Sequence, residues 1–178
     1  NYFKIYKHFL MKNEKVINNK SIDIVGIGNA IVDVLVKVDD TFLIENKLNK
    51  GAMTLINEKQ AQDLYSYSKN PLQTSGGSAA NTITGISQLG GKAAFIGRVK
   101  NDELGKIFTN DIQKVGAIFN TPPALNGPST ARCIIFVSPD AERTMCTYLG
   151  ASILLDPNSI DLSLIKESKV LYLEGYLW

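Results

Sequence analysis

The strongest constraint on this chain is residues 22–28 (IDIVGIG), which are apolar at nearly every position. A strand with one wet face alternates apolar and polar residues. One that does not alternate is covered on both faces, and its usual home is a parallel sheet between two layers of helices. Residues 31–38 (IVDVLVKV) alternate better and predict a half-exposed strand ending at Asp39 and Asp40. Residues 41–47 read as a helix and 53–56 as a short strand. Asn57 with Gln60 three positions on forms a capping box, which opens a helix to about Ser68. Residues 79–89 make a small-residue helix stopped by Gly90 and Gly91, then 93–99 a strand and 102–115 an amphipathic helix ending at Gly116. Residues 120–129 are a Pro/Gly loop, and strands at 133–137 and 144–149 flank the turn 138–143. A short helix at 162–166 precedes a terminal strand. Strands alternating with helices predict an α/β fold. The back-to-back strands at 31–38, 53–56 and 133–149 break that rhythm and predict a small second sheet projecting from the main layer.

Composition narrows the function classes. With 44% hydrophobic and 20% charged residues the chain is globular, and no apolar run reaches the roughly 18 residues of a membrane span. The net charge of +2 misleads, because residues 1–20 hold five Lys against one Glu and leave 14 basic and 16 acidic residues elsewhere. A nucleic-acid partner therefore has no compositional support. One His and two Cys without ligand spacing exclude a zinc site or a His-based triad. Residues 1–20 read as a disordered or non-native extension, with Met11 as the natural start, and 21–178 as the folded part. Two unpaired Cys and no secretory signal point to the cytoplasm. Residues 169–178 (KVLYLEGYLW) read as a buried strand running into a loop, so the chain is expected to be truncated at its C-terminus.

Two glycine-rich motifs fail on inspection. Gly26 and Gly28 invite a dinucleotide reading, but Ile31 stands where the third Gly belongs. Gly91-Lys92 lacks both the first Gly and the Ser or Thr of a phosphate loop. Two other segments fit ligand chemistry better. Asn29 and Asp33 lie just past the carboxyl end of the first strand, where open α/β sheets place ligands. A carboxylate accepts two hydroxyl protons and suits a vicinal diol; the competing reading is a turn Asn and a solvated Asp. In Ser75-Gly76-Gly77-Ser78-Ala79-Ala80-Asn81, the glycines let backbone approach a ligand and the helix start offers free N–H groups. Asn81 is out of character among Ala79, Ala80, Ile83 and Ile86 unless its amide meets a partner.

Together these segments resemble the N-terminal half of the PfkB, or ribokinase-like, carbohydrate and nucleoside kinases. Asn29 and Asp33 match the N-x-x-x-D after the opening strand, and Gly76, Gly77 and Asn81 match Gly-Gly-x-x-x-Asn. Gly97, Asp102 and Gly105 match the following motif in part, with Lys100 where many members have Gly. GIGNAIVDVLV, SGGSAANT and STARC look most like the adenosine kinase branch. The resemblance implies a three-layer α/β/α fold with a mostly parallel sheet and a small β-sheet lid. It also implies ATP-dependent phosphorylation of a sugar hydroxyl, most of all the 5'-hydroxyl of adenosine or a related nucleoside. The expected substrate contacts are Asn29, Asp33, Gly76, Gly77, Ser78, Asn81, Cys133 and Tyr176. The catalytic Gly-Ala-Gly-Asp element has no counterpart here, so no catalytic residue and no metal ligand is assigned. ATP and Mg2+ would be held largely outside this chain, and the fragment alone would be inactive. The alternatives are a free-sugar kinase of ribokinase or fructokinase type and a non-catalytic sugar-binding protein. The partner is a small nucleoside or sugar, and the assembly a monomer or a homodimer paired through the lid.

Overall fold

A computed structural model describes residues 20–68 and 71–177; the expectation for residues 1–20 therefore lies, apart from Lys20, outside the described residues. Strand β1 (Ile22–Ile27) runs parallel to both β5 (Ala93–Ile96) and β8 (Ser168–Leu173). Helix α3 (Ser78–Gln88) covers one face of this sheet and α5 (Leu162–Glu167) the other. The unbroken apolar run now has its reason. Gly26 faces Ile83 of α3, while Val25 packs with Ala94 and Ile96 against Leu164 and Ile165 of α5.

Five strands form a second sheet in the order β3 (Met53–Leu55), β7 (Arg143–Tyr148), β6 (Ala131–Val137), β2 (Ile31–Lys37), β4 (Leu72–Gly76). One face, with Val32, Val34, Ile134 and Phe136, enters the main core. Strand alternation places Ile31, Asp33, Ala131, Cys133, Met145 and Thr147 on the other. The three segments expected to form a second sheet do so, joined by β4, for which no strand was expected. Leu72-Gln73-Thr74-Ser75-Gly76 has no apolar period, and only antiparallel pairing with β2 makes it a strand. The remaining helices are α1 (Asp40–Glu45), α2 (Glu58–Ser66) and α4 (Glu103–Lys114). The Asn57–Gln60 capping box opens α2 as expected, each side chain bonding the other residue's amide at 2.9 and 3.0 Å.

Helix α4 ties the two sheets together. It packs on β4 and β2, and its Phe108 stacks with Phe95 of β5 and with Phe119 at centroid distances of 5.8 and 5.3 Å. Asp102 caps it, taking Gly105 N at 2.8 Å together with Thr130 N and Oγ1 from the start of β6. A Cβ on Gly105 would stand 2.0 Å from the Lys100 carbonyl oxygen, so only glycine lets the helix approach this closely. Truncating the fully buried Phe108 to Ala leaves a cavity at the seam between the sheets. The expected loss is about 3–5 kcal/mol, to be read from the urea midpoint; an unchanged midpoint would show that α4 is not the joint.

Candidate functional site

The chain leaves β1 at its carboxyl end, turns through Gly28, Asn29 and Ala30, and enters β2 in the other sheet. Strand β8 ends beside this turn, where Glu174 N donates to Ile27 O at 3.0 Å and prolongs the ladder. The Glu174 side chain, only 5% exposed, collects donors from both neighbours. Its Oε1 accepts from Asn29 Nδ2 at 2.7 Å and Asn29 N at 3.3 Å. Its Oε2 accepts from Ser78 Oγ at 2.9 Å and Ala79 N at 3.2 Å, the latter at the positive end of α3. Four donors offset much of the cost of burying a carboxylate. Asn29 is itself 3% exposed, and its Oδ1 is buried with no hydrogen-bond partner among the described residues. Gly28 is obligatory here, because a Cβ would fall 2.6 Å from Glu174 Oε2.

Asp33 lies on the open face of the second sheet, opposite Thr74 of β4 and Cys133 of β6. Gly76 stands against it. A Cβ there would lie 2.5 Å from the Asp33 carboxyl carbon. Gly77 has a φ of 102° and caps α3, and a Cβ on it would lie 2.3 Å from the Asn29 carbonyl oxygen. The two glycines thus do different work: Gly76 leaves room for the carboxylate, and Gly77 lets two backbones cross. Partial burial raises the Asp33 carboxyl to about 6, with the Arg143 guanidinium pulling the other way. Cys133 accepts a hydrogen bond from Thr147 Oγ1 at 3.3 Å, and burial pushes its thiol up to about 11. It is a neutral wall beside Asp33 rather than a nucleophile.

The predicted residues therefore form two groups. Asn29, Gly77 and Ser78 gather around Glu174, while Asp33, Gly76 and Cys133 share one sheet face. Asn81 is tied through its backbone N to Gly77 O at 2.8 Å, but its side chain is exposed. Tyr176, in a 3-10 turn after β8, is 80% exposed and does not close the core. Sequence reasoning missed Glu174. The available signal was an acid at the end of an apolar strand, at the same sheet edge that singled out Asn29.

Residues 48–178 match the pfkB family carbohydrate kinases. The chain belongs to this family. Among solved structures, an adenosine kinase from Sinorhizobium meliloti is 50% identical over 88% of this chain, with a TM-score of 0.80. A probable sugar kinase from Rhizobium etli CFN 42 is 47% identical over 89% of it, with a TM-score of 0.82. The adenosine kinase of Schistosoma mansoni in complex with adenosine is 26% identical over 86%, with a TM-score of 0.76. A fructokinase from Solanum tuberosum is 33% identical over 57% of the chain. The chain spans 48% of the length of the two rhizobial proteins and 32% of that fructokinase. The PfkB membership and the mixed α/β architecture with its parallel-rich sheet agree with the expectation from sequence.

The raised Asp33 carboxyl has a consequence for stability. Its folded value lies above its ordinary 3.8, so the favourable contribution is full below 3.8 and is lost as the pH rises through about 6. A gap of that size is worth at most about 3 kcal/mol, and partial exposure reduces it to about 1–2 kcal/mol. Asp33→Asn is therefore expected to flatten the stability profile between about pH 4 and 6 and to raise the urea midpoint near neutrality. Gly76→Ala, pressing a methyl onto that carboxylate, is expected to cost about 1–3 kcal/mol in the same assay. An Asp33→Asn midpoint equal to the wild type at every pH would contradict the burial argument.

Proposed function

We propose that this chain is the substrate-binding half of a kinase that transfers a phosphoryl group from ATP to a sugar hydroxyl, with adenosine or a related nucleoside as the substrate. The observation that carries this reading is the Asp33 carboxylate, held open by Gly76 on one sheet face, next to a turn that buries Asn29. With its carboxyl titrating at about 6, Asp33 is ionised at neutral pH and accepts two hydroxyl protons at once. Hydrogen bonds to a partly desolvated carboxylate are stronger than those in bulk water. Cys133 provides an uncharged wall, and Ser78 and Asn81 present polar groups at the start of α3. The second sheet serves as a lid that keeps water from the phosphoryl donor. The nucleoside reading rests on likeness to the Sinorhizobium adenosine kinase across most of the chain.

ATP with Mg2+ is the proposed donor. Among the described residues no group of three His, Cys, Asp or Glu side chains could hold a metal ion, so no step is assigned to it here. A base for the attacking hydroxyl belongs to a Gly-Ala-Gly-Asp element that this sequence does not contain. The fructokinase likeness favours a second reading, phosphorylation of a free hexose.

The test is turnover by a full-length protein containing this chain. Adenosine is expected to be phosphorylated in preference to fructose, with Asp33→Ala lowering kcat/KM by at least about 100-fold, on the order of 3 kcal/mol. KM is expected to rise below about pH 6 as Asp33 takes up its proton. Fructose turnover without nucleoside turnover would replace this reading with the second.

A further inference from the structure

Asp111 stands outside both groups of site residues, yet its carboxylate reaches the strand that shapes one of them. It is half-buried on α4, beside the apolar stripe of Leu104, Phe108 and Ile112. An acid at the edge of a core-facing stripe is costly unless it has a partner. Its Oδ2 accepts a hydrogen bond from the backbone N of Ser75, 36 positions away in sequence, at 3.0 Å. Among the described residues, strand β4 is at the edge of its sheet, paired only with β2. In an antiparallel pair alternate amides point away from the partner strand. Ser75 N is such an outward amide, and Asp111 supplies the acceptor that a further strand would otherwise give. The next residue is Gly76, whose Cα sits against the Asp33 carboxylate, and then Gly77, which crosses the Asn29 backbone.

We infer that Asp111 is a positioning residue for the sugar-binding pocket: by holding the Ser75 amide it clamps β4 against β2 and fixes the gap between Gly76 and the Asp33 carboxylate. The inference rests on the kinase reading for its functional meaning, but the geometry it invokes is independent of any ligand. Asp33 itself is the reporter, since a looser Gly76 wall admits water and lowers the desolvation that raises its carboxyl. The other group acting on Asp33, Arg143 of β7, and the Cys133 thiol that faces it from β6 are both untouched by the substitution.

The experiment is a carboxyl-carbon NMR titration of Asp33 in a full-length protein containing this chain, with amide exchange at Ser75 and a urea melt as a check on folding. In Asp111→Ala the Asp33 midpoint is expected to fall from about 6 toward its ordinary 3.8, and Ser75 exchange to quicken at least about 10-fold. Asp111→Asn keeps a carbonyl acceptor and is expected to restore both to near the wild-type values. If Asp111→Ala does not fold, Ser75→Pro removes the donor instead, a change that edge strands tolerate, and predicts the same fall in midpoint. A folded variant whose Asp33 midpoint stays at about 6, or an Asp111→Asn that behaves like Ala, would overturn the clamp. A shifted titration in a protein whose full-length form phosphorylates neither adenosine nor fructose would support the clamp and refute the kinase reading.

Discussion

A single buried carboxylate holds the carboxyl edge of the parallel sheet in order. Glu174 takes donors from the turn after β1 and from the first residues of α3, and its own backbone extends the β1–β8 ladder. A carboxyl group out of water is tolerated only when its lone pairs are filled. Withdrawing any donor would leave a buried oxygen under-satisfied. Three separate stretches of chain are thereby held at one point. Gly28 follows from the same arrangement, because a side chain there would occupy the space of the carboxylate.

The second sheet depends on that point. Its strand β2, between β6 and β4, begins two residues after Asn29, so its angle and register are inherited from the turn that Glu174 holds. Asp33 follows on the open face, and the Gly76–Gly77 pair folds back against both Asp33 and Asn29. The Asp33 carboxylate and the backbone that stands against it are thus set by one crossing between sheets. Helix α4 braces the crossing from behind, through Phe108 toward the parallel sheet and through Asp111 toward β4. The arrangement places a partly desolvated carboxyl on the open face of the sheet, where it costs stability and gains hydrogen-bonding strength.

Elements governed by neighbours in sequence were legible. The apolar run of β1, the Asn57–Gln60 capping box, the Gly90–Gly91 stop and the amphipathic stripe of α4 each carry their signal within one window. Asp33 and Gly76 were legible as candidate residues through the family motifs. Their mutual contact was not, since it depends on the antiparallel register of β2 and β4. Strand β4 escaped notice because its five residues are polar or small apart from Leu72, so only its partner makes it a strand. Glu174 lies 145 positions from Asn29, and Asp111 lies 36 from Ser75. Neither pairing leaves a local trace.

From the amino acids alone came the fold class, the existence of a second sheet and the family, because these follow from hydrophobic period, capping chemistry and short motifs that act within a few residues. Tertiary structure decided which acid faces open space, which is consumed in holding the turn and which braces an edge strand. Asp33, Glu174 and Asp111 are all carboxylates in mixed surroundings; what separates them is which donors the folded chain brings within about 3 Å, and hydrogen bonds depend on distance in space rather than along the chain.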